Sequence, residues 1–297
     1  MLGSQKELEN TQESLVSDKY YSLFHYTGEA GLHGILSSKS LWATHFRFLN
    51  DLEEFSLLGK ALRPYLKGVD ENIPQEVYEH LDEFIKKHFK EIIEPVAPAY
   101  ITCFCPAKHL NDDSDEARFE LQNGRLSQWR GYGQDGGYAI EFKAKDLEEM
   151  LQSEISKSGV SYPNRIPMSS IGYLYLYGDI NKIKSDKETE RFIKELLSEI
   201  MNGIGEMFNF RRNKIEPEDS FINEYMMKII QGASRIKHFG FHEEREIRIV
   251  ACASNQVVKE QNEGYSELQP RKVYFRTNNT PYIVLFDREG SPNCVRA

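Results

Sequence analysis

Cysteine and tryptophan are scarce, with four of the first and two of the second among 297 residues. Cys103, Cys105, Cys252 and Cys294 are too few for a disulfide framework and fit no zinc-ribbon spacing, so a reducing compartment is expected. No run approaches the roughly 20 apolar residues that cross a bilayer. Residues 1–20, MLGSQKELENTQESLVSDKY, are polar and lack the apolar centre of a signal peptide. Together these absences predict a soluble, cytoplasmic protein with no membrane partner. Basic residues are in deficit, 37 against 46 acidic, for a net charge of −9. A chain whose main work is gripping nucleic acid by counterion release needs the opposite balance. Arg130, Arg211, Arg212 and Lys214 still leave room for a local basic groove. There is no internal repeat and no low-complexity tract.

The composition, 40% hydrophobic and 28% charged, is that of a globular chain able to bury a large core. Apolar periodicity predicts helices over 29–38, 51–66, 74–94, 144–157, about 187–208 and 217–235, with Asp51 and Glu54 as a capping pair. Strands are predicted over 41–44, 99–105, 138–142, 171–178, 246–253, 272–275 and 282–286. Residues 108–120 read as an acidic surface loop, and 127–137 as a glycine-rich turn. Strands and helices mix without regular βαβ alternation, which predicts an α+β fold. One domain is expected over 19–297, behind a flexible lead at 1–18 and with helical insertions at about 51–95 and 185–236.

Three patterns invite readings that their context rejects. Gly131, Gly133 and Gly136 spell GxGxxG, but the dinucleotide fingerprint needs a strand before it and a helix after it. Here a strand follows, so the glycines are read as a turn that lets backbone come close. His238 and His242 are four apart, yet Gly240 between them and the absent HExxH order argue against a metal helix. Cys103 and Cys105 share one side of a strand and read as small core residues rather than ligands or nucleophiles.

Four segments carry polar and aromatic residues that burial alone does not explain: FHYT (24–27), LWATHFRFLND (41–51), SQWRGYG (127–133) and HEEREIRIV (242–250). Glu244 and Glu246 are two apart at a strand start, so both face one side, and Arg248 shares it. Paired carboxylates suit a reaction that builds positive charge; a charged edge strand is the plain alternative. His25 stands beside Tyr26 and Thr27, as a site residue or a satisfied structural one. Arg130 has the planar fork that matches pyrophosphate oxygens, and it could equally belong to a packed aromatic turn.

Taken in order, these segments resemble an uncharacterised bacterial family that shares an HYT start, an LWAT…LND segment, SQWRGYG and a late E-R-E-x-R strand. The resemblance runs from about Tyr20 to about Ala253. That arrangement in turn resembles the ADP-ribosyltransferase fold of the His–Tyr–Glu type, and implies a split mixed β-sheet core with helical insertions. By that resemblance His25 bonds the adenosine ribose of NAD+, and backbone near Tyr26 and Thr27 holds the nicotinamide amide. Glu246 would stabilise an oxocarbenium-like transition state, while Glu244 would position or deprotonate the acceptor. Trp42, Thr44, Asn50, Ser127, Arg130 and Tyr132 complete the expected NAD+ contacts. Tyr26 stands where the commonest pattern has glycine, and the central element of the triad is open among Trp42, Thr44 and the ITCFC strand.

The expected activity is mono-ADP-ribosyl transfer from NAD+, as co-substrate and without a metal, to a protein, RNA or DNA acceptor. A bacterial toxin or anti-phage effector with an antitoxin partner fits this chemistry. An NAD glycohydrolase on the same site and an inactive nucleotide-binding module are the alternatives.

Overall fold

Strand β1 (Tyr20–Gly28) alternates two kinds of side chain: Leu23 enters the main core, while Phe24 and Tyr26 enter a second, smaller one. This period of two is what a pleated strand buried on both faces requires. The computed structural model describes residues 15–49, 57, 99–109, 113–133, 136–157, 165–170, 172–176, 183–184, single positions between 191 and 214, 233–252 and 272–286. Within them the chain is α+β, a largely antiparallel sheet with several helices.

The remaining strands are β2 (Leu41–His45), β3 (Ala99–His109), β4 (Gly137–Lys143), β5 (Arg165–Ser170), β6 (Gly172–Leu176), β7 (Ile183–Lys184), β8 (Ile236–His238), β9 (Ile247–Cys252), β10 (Val273–Phe275) and β11 (Pro281–Leu285). Eight of them form one sheet in the order β10-β11-β2-β3-β1-β4, with β9 paired to β3 and β5 to β9. The other three make a small sheet, β7-β6-β8, in which β6 and β8 run parallel.

Strand β3 is shared between two arms of the large sheet. Its first half pairs with β2 and β9, and its second half pairs with β1. β1 keeps β3 only from Tyr20 to Phe24, yet keeps β4 through Gly28. Beyond Phe24 the sheet therefore forks, and His25 stands at the fork.

The helices are α1 (Val16–Lys19), α2 (Glu29–Ser38), α3 (Asp115–Asn123), α4 (Leu126–Tyr132) and α5 (Ala144–Lys157). Ile35 of α2 and Ala144, Leu147 and Leu151 of α5 join Leu23, Leu41, Phe104, Phe142, Ile247, Ile249 and Ile283 in the main core. Full burial of each large aliphatic side chain contributes about 1.5–3 kcal/mol. No helix among the described residues is long and apolar enough to cross a membrane.

Several expectations need correcting. Residues 108–120 are not one loop: α3 begins inside them, because Ser114 Oγ accepts from Ala117 N at 3.1 Å and Asp115 and Glu116 sit in the positive first turn. Residues 127–137 are not a turn either, since SQWRGY lies on α4, which ends at Gly133. There the glycines do bring backbone together: a Cβ on Gly137 would stand 2.5 Å from the Gly133 Cα. Residues 16–18, inside the expected lead, are docked, with Val16 buried and its N–H donating to Glu148 Oε1 on α5 at 2.8 Å. Strand β5 has no counterpart among the expected strands. The expected helix at 51–66 is described only at Leu57, which is helical, and the one at 74–94 and most of 217–235 lie outside the described residues, whereas the described positions from 191 to 213 are helical.

Candidate active site

Past the fork, one cavity of about 610 Å³ opens, within the range of small-molecule pockets. β1 lines it with His25 and Thr27, β2 with Trp42 and Thr44, β3 with Thr102 and Cys103, and α4 with Gln128 and Tyr132. Glu244 and Glu246 face it from the segment before β9, and Phe275, Arg276 and Tyr282 from the β10–β11 hairpin. His25 and Glu246, far apart in sequence, thus meet around one space.

His25 Nδ1 lies 2.9 Å from the Cys103 carbonyl. A carbonyl only accepts, so Nδ1 carries the proton and Nε2 is left as an acceptor. The ring thereby supplies Cys103 with a donor just where β1 has stopped pairing with β3. Burial, opposed by this hydrogen bond and reinforced by Arg276, lowers the pKa of His25 and keeps it neutral.

Glu246 is buried in a cluster of four charges. Arg248 grips it two-handedly, Nε to Oε1 at 2.8 Å and Nη2 to Oε2 at 3.1 Å, as two residues on one face of a strand can. Arg248 is only 1% exposed, and its Nη1 also donates to the Ser234 carbonyl at 3.1 Å. Lys237 of β8 donates to Glu246 Oε2 at 2.8 Å and to Glu244 Oε2 at 2.7 Å. Burial alone would raise the pKa of Glu246, but Arg248 and then Lys237 hold it down to about 2. The carboxylates line the cavity; the two cations stand behind them. The result is a fixed Glu246 that is ionised at neutral pH.

Glu244 is not on a strand. It ends a 3-10 turn (Phe239–Glu244), and Arg245 then takes a left-handed conformation at φ 44° before β9 begins. The two acids converge through Lys237 rather than through strand alternation. Arg125 anchors this turn, donating from Nη1 to the Glu243 carbonyl at 2.5 Å and pairing with Glu120 at 3.0 Å.

Of the expected NAD+ contacts, His25, Tyr26, Thr27, Trp42, Thr44 and Tyr132 line the cavity. Tyr26 is held by packing: its ring meets Trp129 edge-on at 5.0 Å, and its hydroxyl accepts from Arg125 N at 2.7 Å. Replacing Tyr26 with phenylalanine leaves that buried N–H unmet and is expected to cost about 1–3 kcal/mol, measured by urea unfolding. Trp42 packs against α2 only because position 34 is glycine, where any Cβ would meet the indole ring.

Arg130 does not reach the cavity. On α4, Gln128 and Tyr132 are four apart and face inward together, so Arg130 between them turns to solvent. Ser127 does not line the cavity either, and its hydroxyl is enclosed without a hydrogen-bond partner among the described residues. Asn50 lies outside the described residues. Cys103 and Cys105 line the cavity, but burial raises both thiols, with Glu246 adding to the effect, so neither is a thiolate at neutral pH. Among the described residues no group of three or more His, Cys, Asp or Glu could hold a metal ion.

Sequence reasoning missed Lys237, Arg125 and Arg276. None of the three belongs to a motif that the sequence shows.

No curated protein and no solved structure matches the chain. A family model described as "Protein of unknown function (DUF2971)" matches residues 128–249. The chain is similar to that family across the stretch that carries Gln128, Lys237, Glu244, Glu246 and Arg248.

Proposed function

We propose that this protein is an ADP-ribosyltransferase that takes NAD+ as donor and a macromolecule as acceptor. The observation that carries the reading is the meeting of a neutral histidine and an ionised glutamate around one cavity of about 610 Å³. The order of parts also supports it. An early strand carries His25, a helix and a second strand follow, and Glu246 stands at the entrance to a late strand on a forked sheet. This is the order expected of a split-sheet ADP-ribosyltransferase fold of the His–Tyr–Glu type.

In the proposed step, the bond between nicotinamide N1 and ribose C1 breaks, and nicotinamide leaves with the electron pair as a neutral molecule. The positive charge left on the ribose is stabilised by the Glu246 carboxylate, which the protein has already oriented and desolvated. An acceptor oxygen or nitrogen then bonds to C1 and gives up its proton. Glu244 suits that end of the reaction, since its side chain is 23% exposed against 5% for Glu246. His25 Nε2 would accept from a ribose hydroxyl.

The test is to incubate the protein with NAD+ labelled in the adenosine half, with and without cell lysate. Label on a macromolecule supports the reading. Nicotinamide release without lysate would instead make the protein a glycohydrolase. NAD+ left intact in both would remove the proposal.

A further inference from the structure

We propose that the end of the cavity built by β2 and the β10–β11 hairpin is a subsite for the diphosphate of a nucleotide, with Arg276 as its cation. The proposal deepens the transferase reading and rests on it for the identity of the whole ligand.

Arg276 lines the cavity from the hairpin, and its direction is set from two sides. Its Nη2 donates to Thr44 Oγ1 at 3.0 Å, and its guanidinium carbon lies 5.8 Å from the centre of the Tyr282 ring. Among the described residues no carboxylate lies within ion-pair distance of it. The other cations of the cavity region, Lys237 and Arg248, are spent on Glu244 and Glu246. Arg276 is the cation left for a ligand in this described wall, and its planar fork matches phosphate oxygens.

Trp42 stands on the same wall. The indole stacks on Tyr282 at 4.6 Å, and Tyr282 on Tyr274 at 5.6 Å, so the wall is a rigid aromatic shelf. An anion with several oxygens meets both the charge and the fork of the Arg276 guanidinium; an uncharged ligand leaves the charge unmet. Elsewhere the cavity presents the Glu244 and Glu246 carboxylates, which repel phosphate. A dinucleotide therefore lies with its diphosphate toward the hairpin and its reacting ribose toward Glu246.

Calorimetric titration of the full-length protein with ADP, adenosine and inorganic pyrophosphate tests this directly. The wild type is expected to bind ADP at least about 10-fold more tightly than adenosine, as charge-assisted hydrogen bonds imply. Arg276→Gln is expected to erase that factor and leave adenosine binding unchanged, with Arg276→Lys in between. Arg276 is exposed, so the thermal midpoint should hold. Equal binding of ADP and adenosine by the wild type overturns the subsite, and so does an unchanged ratio in Arg276→Gln. Pyrophosphate bound as tightly as ADP overturns its nucleotide character. ADP binding through Arg276 without any NAD+ cleavage would sink the transferase reading alone. ADP-ribose transfer by an Arg276→Gln protein with an unchanged ADP-to-adenosine ratio would keep that reading and sink this one.

Discussion

Replacing Glu246 with glutamine is expected to reduce ADP-ribose transfer by about 100- to 1,000-fold, the range found when one preorganised electrostatic contact to a transition state is lost. The amide keeps the shape of the side chain and removes its charge. The loss should fall on the chemical step, because the carboxylate interacts most with charge that develops only as the nicotinamide bond breaks. The same change leaves Lys237 and Arg248 without their shared anion, so activity must be read on folded protein, monitored by circular dichroism. His25→Ala supplies an independent check, since His25 bonds Cys103 and takes no part in the ionic cluster. Undiminished transfer by folded Glu246→Gln protein would end the proposed role of this residue. The wild-type dependence on pH carries a sign as well. The pKa of Glu246 is depressed to about 2, so its ionised form, and the stability linked to it, is present above the ordinary value of about 4.3 and is lost as pH falls toward 2. No acid limb from Glu246 is expected between pH 5 and 7.

Replacing Lys237 with methionine is expected to destabilise the fold by about 3–5 kcal/mol at pH 7, the usual cost of removing one partner from a buried ion pair. Methionine fills a similar volume, so the loss isolates charge rather than packing. Glu246 then keeps Arg248 alone while Glu244 loses Lys237, and the excess negative charge is confined near a wall that water reaches poorly. Losing Lys237, one of the two cations that hold the Glu246 carboxyl down, raises its folded-state pKa. A group with a raised folded pKa gains stability as pH falls, so the penalty should shrink at pH 5. Urea unfolding of wild type, Lys237→Met and Lys237→Arg at pH 7 and pH 5 measures the effect. An equal penalty at both pH values would show that Lys237 does not govern the charge of Glu246.

Much of the scaffold was legible because it obeys short-range rules. The helix at 29–38 and the strand at 41–45 follow from periodicity, since Leu41 and Ala43 go to the core while Trp42 and Thr44 go to the cavity. The strand over 247–252 was legible for the same reason, with Ile247, Ile249 and Ala251 buried together. His25 and Glu246 were legible only as parts of motifs in order. The arginine was misplaced because composition names a residue type and not a direction. Reading 127–137 as a turn concealed that Arg130 is on a helix and faces away from Gln128 and Tyr132. Arg276 carries no motif at all; its place on the cavity wall depends on the pairing of Tyr282 with Thr44, which brings the hairpin beside β2. Lys237 was hidden likewise, because β8 belongs to the small sheet and reaches the acids only after both sheets have formed.

The forked strand has a consequence for the order of synthesis. β3 can join β1 early, but its first half waits for β9, and β2 waits for β11 near the end of the sequence. Contacts between such distant segments form slowly and late. A nascent chain complete only to Cys252 has already made both acids and their counter-ions, yet it lacks the aromatic shelf and its arginine. Such a chain has the acids of the cavity without the hairpin wall, so the cavity is complete only once residues 273–285 have been made.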